Sequence, residues 1–175
     1  MIGAFLALFP VAAATPGEAA EYARVVAGET AEVRVYDGWY TALLLRGTRM
    51  TTALRAAQAA RLSELTGGAG TLEVPEGIEI VLSASTQFTK ELKFSATGET
   101  PWTILLSAGG KACAPALEVV AEKKVSPEER TLLPHITDWD KVFRVHYAAD
   151  ACGGAEPDAL RVVGARGEGT LRWSD

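Results

Sequence analysis

Two histidines and two cysteines are all that this chain offers for imidazole or thiol chemistry. No His-x-x-x-His and no Cys-x-x-Cys occurs, so the common zinc spacings are absent. No serine sits in a Gly-x-Ser-x-Gly elbow, which removes the commonest hydrolase signature. Gly67-Gly68-Ala69-Gly70 is not followed by Lys-Ser/Thr, so it is no phosphate-binding loop. The 17 basic residues are scattered along a chain of net charge −5, without the positive stripe that nucleic acid requires. Long apolar runs are also scarce, and the exception is at the start.

Ile2–Ala14 carries no charge and ends in Ala12-Ala13-Ala14, followed by Thr15-Pro16-Gly17. An apolar core of that length with a small-residue end reads as a secretory signal peptide over residues 1–14. It is too short for a transmembrane helix, which needs about 20 apolar residues. The alternative is a buried N-terminal strand or helix. No cysteine lies near the junction, which disfavours a lipid anchor, and no later segment is long enough to cross a membrane. Export gives the solitary pair Cys113 and Cys152 a use as a disulfide, the alternative being two separately buried thiols. Lys111 lies close enough in sequence to lower the pKa of Cys113, but pairing explains this cysteine more simply.

Nearly half of the residues are hydrophobic, enough for a real core, and residues 15–175 are expected to form a single domain. Glu18–Tyr22 suggests a helical turn. Alternation then predicts strands over Ala31–Tyr36 and Trp39–Arg46 joined at Asp37-Gly38, or one bulged strand through Leu45. Thr51–Leu65 is Ala-rich, with a Thr cap before it and Gly67-Gly68 after it. It reads as a helix with Leu54, Ala57, Ala60 or Arg61, and Leu65 near one face, although a hairpin stays open. Further strands are expected at Thr71–Val74, Ile78–Ala84, Glu91–Ala96, Trp102–Ser107, Ala116–Ala121, Val142–Tyr147, Leu160–Val163 and Gly169–Trp173. Trp102–Ser107 should pair back on Glu91–Ala96 across Thr97-Gly98-Glu99. Ser126-Pro127-Glu128-Glu129 starts a short helix in which Glu129 can close a capping box. The expected fold is mainly β, an Ig-like β-sandwich with one or two short helices.

His135, His146, Asp138 and Asp140 supply metal-compatible atoms, but in no ligand spacing, and structural use is the simpler reading. Neither histidine has an identifiable acid partner, so no catalytic residue, cofactor or metal site is assigned. The aromatics Trp39, Tyr40, Trp102, Trp139 and Trp173 are the remaining candidates. Most such rings pack in the core. Trp39, Tyr40 and Trp139 form the candidate ligand-binding set, with Trp139 between two acids the most exposed-looking.

Val33-x-Val35-Tyr36-x-Gly38-x-x-Thr41-x-Leu43-x-Leu45 resembles the opening of periplasmic sandwich domains. Ser85-Thr86, then Leu92-x-Phe94-x-x-Thr97-Gly98 and Trp102-Thr103-Ile104-Leu105, resembles the paired strands that close them. The arrangement is similar to subunits of the type IV secretion outer-membrane core complex, to secretin N-terminal domains, and to a paralogous secreted family of unknown function in myxobacteria. It covers Ala31–Ser107; Thr51–Leu65 and the region after Ala121 depart from it. The resemblance implies work by protein contacts, as a scaffold or assembly component of an envelope complex. The partner would be another envelope protein or a second copy. A carbohydrate-binding or small-ligand-binding module that uses the tryptophans is the rival expectation.

Overall fold

The computed structural model describes residues 16–68 and 76–173. The expected signal segment and the expected Thr71–Val74 strand lie outside them. In chain order the elements are α1 (Pro16–Gly28), β1 (Thr30–Asp37), β2 (Tyr40–Arg49), α2 (Thr52–Thr66), β3 (Ile78–Ser85), a 3-10 turn (Thr89–Glu91), β4 (Phe94–Ser95), β5 (Trp102–Ala108), β6 (Lys111–Ala112), β7 (Glu118–Ala121), α3 (Pro127–Leu132), β8 (Lys141–Tyr147), β9 (Ala159–Gly164) and β10 (Gly167–Arg172). The strands form two sheets, ordered β1-β2-β3-β8-β7 and β10-β9-β5-β4, with β6 paired to β5. The core between them draws Leu43, Leu45, Ile80, Leu82, Phe143 and Val145 from one sheet and Ile104, Leu106, Leu160 and Val162 from the other. This is a mainly β protein with a sandwich core.

Period-two alternation sends Ile80, Leu82 and Ala84 of β3 inward and leaves Glu79, Val81 and Ser83 on the outer face. That outer face is buried as well, because the helices and the chain around α3 cover it. Val81 and Val142 pack there against Val125, Leu133 and Ile136. Beside them lies an ion-pair network. Glu79, its side chain only 4% exposed, meets Arg55 of α2 and lies 2.7 Å from Arg144 of β8. Arg144 also reaches Glu122 at 2.9 Å, and Glu129 of α3. Burial pushes the Glu129 carboxyl upward, opposed by the Arg144 charge. The expected capping box is therefore half formed. Ser126 Oγ accepts the Glu129 N–H at 3.1 Å, while the Glu129 carboxylate is turned to Arg144 instead.

Three helices occur among the described residues, not one or two short ones, and α1 and α2 run for 13 and 15 residues. Tertiary contact extends α1 beyond the suggested turn: the Tyr22 hydroxyl donates to the Leu132 carbonyl, and α1 packs on α2. The ambiguous Thr51–Leu65 segment is helix, capped by Thr51 Oγ1 on the Leu54 N–H and ended by Gly67 at φ 77°. Its buried face is Leu54 and Gln58, whereas Leu65 is exposed. The Glu91–Ala96 strand shrinks to two residues. Leu92 and Phe94 are buried as the alternation required, but a 3-10 turn occupies the segment's beginning. The pairing of β4 with β5 is parallel, Phe94 opposite Trp102, not the antiparallel hairpin expected. β5 pairs antiparallel with β9 along six residues, and that pairing sets its direction.

One side of the sandwich is closed by close approach of β10 to β1. A Cβ at Gly169 would lie 2.7 Å from Val33 Cγ2, so only glycine permits this spacing. The other side ends at the free edges of β7 and β4. Below the core, Cys113 and Cys152 are joined, with Cα atoms 4.4 Å apart. The bond ties the segment after β6 to the β8–β9 connection, and the Ala114 N–H donates to the Ala151 carbonyl beside it.

Candidate functional site

The β1–β2 hairpin projects an aromatic tip. Its loop residues are Gly38 and Trp39, flanked by the pair Asp37 and Tyr40. Only Gly38 takes a positive φ, 59°, so the turn is of the Gly-X kind rather than Asp-Gly. That places Trp39 at the second loop position, where the residue is 99% exposed. A register shift at Val35/Tyr36 leaves Ala42 without an opposite residue. The Ala42 carbonyl accepts the Thr86 hydroxyl at 2.6 Å, which fixes the bulge. Beyond it Tyr36 and Tyr40 stand 57% and 68% exposed. Three large rings therefore face water at one hairpin.

The tip is braced from the other sheet. Arg166, in the β9–β10 turn, donates through Nη1 to Asp37 at 2.9 Å. Its Nε and Nη2 grip both oxygens of Glu91 at 2.7 and 2.9 Å, and its guanidinium lies 3.7 Å from the Phe88 ring centre. Hydrogen bonding from Arg166 lowers the Glu91 pKa, and those to Glu91 and Asp37 raise that of Arg166. One planar cation thus locks the hairpin, the 3-10 turn and the β9–β10 turn together. Neither Arg166 nor Phe88 was legible as a site residue, because 129 and 75 residues separate Arg166 from the acids it holds.

Trp139 belongs to the same end of the molecule. It sits two residues before β8, and β8 begins opposite the end of β3, at the end where β2 begins. Its turn is held by Asp140, whose carboxylate accepts the Thr137 N–H at 2.8 Å, and the residue is 88% exposed. All three rings of the expected ligand-binding set are exposed, against the core packing usual for such residues. Trp102 and Trp173 do pack; the Trp173 indole donates to the Gly47 carbonyl at 3.0 Å.

The metal-compatible residues are dispersed to structural contacts. Asp138 pairs with Arg130, and His146 lies in β8 opposite Glu79 and Glu118. Among the described residues no three His, Cys, Asp or Glu side chains gather into a metal-sized group. His135, three residues past α3, is half-buried, its Nε2 3.3 Å from Thr48 Oγ1. Burial, reinforced by the Arg46 charge and opposed by Asp140, holds its imidazole down to about 4 from the usual 6.5. The unfolded chain therefore takes up this proton first, and stability falls as pH drops from 6.5 towards 4. The urea midpoint of a His135→Gln variant should decline less over that window than the wild type's; parallel profiles would contradict the assignment.

The described concavities include three of about 230 to 270 Å³, smaller than the roughly 300 Å³ that a small-molecule site occupies. A hairpin of exposed rings on a rigid mount is a feature suited to contact with another molecule. No family model, curated protein or solved structure matches the chain.

Proposed function

We propose that this chain is an interaction module of an oxidising compartment outside the cytoplasm, and that it binds another protein through the ring-bearing end of its sandwich. The observation that carries the reading is Trp39, fully in water on a hairpin that Arg166 holds rigid. Exposed large apolar rings in one patch are characteristic of interaction surfaces, and Trp and Tyr dominate binding hot spots. Rigidity adds to this, because a fixed loop loses little freedom on docking. The Cys113–Cys152 bond supports the oxidising compartment. On this reading the domain is an Ig-like sandwich and its role is that of a scaffold or assembly component in a bacterial envelope complex. A second reading, a carbohydrate platform, draws on the bare ring faces of Trp39 and Trp139.

Quantitative pull-downs from native envelope extract test the proposal. Each hot-spot ring is worth about 2 kcal/mol, roughly 30-fold in affinity. Trp39→Ala with Tyr40→Ala should therefore abolish retention of a protein that the wild type captures, without moving the thermal midpoint. The His135→Ala, His146→Ala double variant should retain it. Capture undiminished by the ring changes would sink the reading, and ring-dependent binding to glycans alone would transfer it to the carbohydrate class.

A further inference from the structure

The open side of the sandwich is more than an unclosed seam. Between the free edges of β7 and β4 runs a groove of about 690 Å³, larger than the three concavities above. Leu92, after the 3-10 turn, and Phe94 of β4 on one side and Val119 and Phe143 of the other sheet form its apolar lining. Phe94 and Phe143 meet edge to face at 4.8 Å beneath it, so the groove opens directly on the core. Its rim is basic. Lys93, Lys123 and Lys141 line it, three of the six lysines in a chain whose net charge is −5. Every ion pair among the described residues uses an arginine, so none of these three lysines has an acidic partner. The acid beside them, Glu122, is held by Arg144 at 2.9 Å.

The backbone adds directional groups. The Glu122 N–H donates to the Val142 carbonyl, which sets the antiparallel alternation of β7 against β8. By that alternation Val119 and Ala121 turn their N–H and C=O groups to the free edge. A strand laid there would gain main-chain hydrogen bonds, bury alternate side chains against Phe94 and Phe143, and point the others at the lysines.

We infer that this groove receives an extended segment of a partner protein in which apolar residues alternate with acidic ones, added as a strand to β7. The site is distinct from the aromatic tip and does not depend on it. Charge favours this occupant: a basic rim around an apolar floor, on an otherwise acidic molecule, selects acidic side chains.

The probe is a labelled ten-residue peptide of alternating valine and glutamate, followed by fluorescence anisotropy on the full chain, with a valine–lysine peptide as its counterpart. The acidic peptide should bind and the basic one should not. A Lys93→Glu, Lys123→Glu, Lys141→Glu triple variant should weaken binding at least tenfold. Val119→Pro, which removes an edge N–H but no bond to β8, should weaken it several-fold with the circular dichroism spectrum unchanged. Amide resonances of Val119 and Ala121 should shift on titration. Equal binding of both peptides, undiminished affinity in the triple variant, or no binding would overturn the inference. So would lysine-dependent binding to phosphatidylglycerol vesicles without peptide binding, which would assign the rim to a membrane surface. Trp39→Ala, assayed with the same peptide, separates this site from the tip: loss of native-partner capture with peptide affinity intact counts against neither.

Discussion

Glu79→Ala is expected to lower the free energy of unfolding by about 3 kcal/mol, the lower end of the cost of breaking a buried ion pair. The carboxylate is 4% exposed and meets two guanidinium groups, Arg55 and Arg144, of which Arg55 is 11% exposed. Removing it leaves both cations next to each other with less negative charge around them, and the helix α2 loses its tie to β3. Glu122 and Glu129 still face Arg144, which keeps the cost from rising further. Urea titration should show a lower midpoint at unchanged slope, since the surface exposed on unfolding is the same. Glu32→Ala is the control. Glu32 bridges Arg34 and Arg46 on the exposed part of β1 and should cost about 1 kcal/mol or less. A Glu79 effect no larger than that of Glu32 would show that the network does not hold the helices.

Removing the disulfide should cost as much or more. Cys113 and Cys152 are 39 residues apart, and closing a loop of that length restricts the unfolded chain by about 4 kcal/mol in the chain-entropy model. The two ends stay linked in the folded state by the Ala114–Ala151 backbone hydrogen bond, so the native arrangement should survive the loss. A Cys113→Ala, Cys152→Ala variant is therefore expected to keep the wild-type circular dichroism spectrum while its unfolding free energy drops by about 3 to 4 kcal/mol. For a domain whose whole stability lies near 5–15 kcal/mol, that is a large fraction. A loss below 1 kcal/mol would mean that the unfolded chain is already compact around this loop.

Much of the fold was readable because its signals are local. Ser126 and Thr51 cap their helices as their positions suggested, Gly67 ends α2, and β3 is covered on both faces as its apolar run required. The errors lie where a distant partner overrode a local pattern. Glu129 looked like the second half of a capping box, yet Arg144, 15 residues on, holds its carboxylate. Leu92 and Phe94 alternate like a strand, yet the burial they report does not require a ladder, and β5 takes its direction from β9. Asp37-Gly38 read as the turn pair, but the β1–β2 register pairs Asp37 with Tyr40, which sets the loop one residue on at Gly38-Trp39 and puts Trp39 at its tip.

By itself the sequence determined the alternating strands, their glycine and proline punctuation and the helix caps, because each of these acts within a turn or two of its own position, and it determined the cysteine pair because only two cysteines exist. Which tryptophans sit in the core and which stand in water was decided by tertiary structure: Trp102 and Trp173 are buried between the sheets while Trp39 and Trp139 leave from one end. The same holds for Arg166, whose acids arrive from two distant segments, and for Lys93, Lys123 and Lys141, scattered in the chain but gathered on one groove. The reason is geometric. Closure of β10 onto β1 brings the edges together on one side and leaves β7 and β4 apart on the other, and no local pattern of residues encodes which edge remains open.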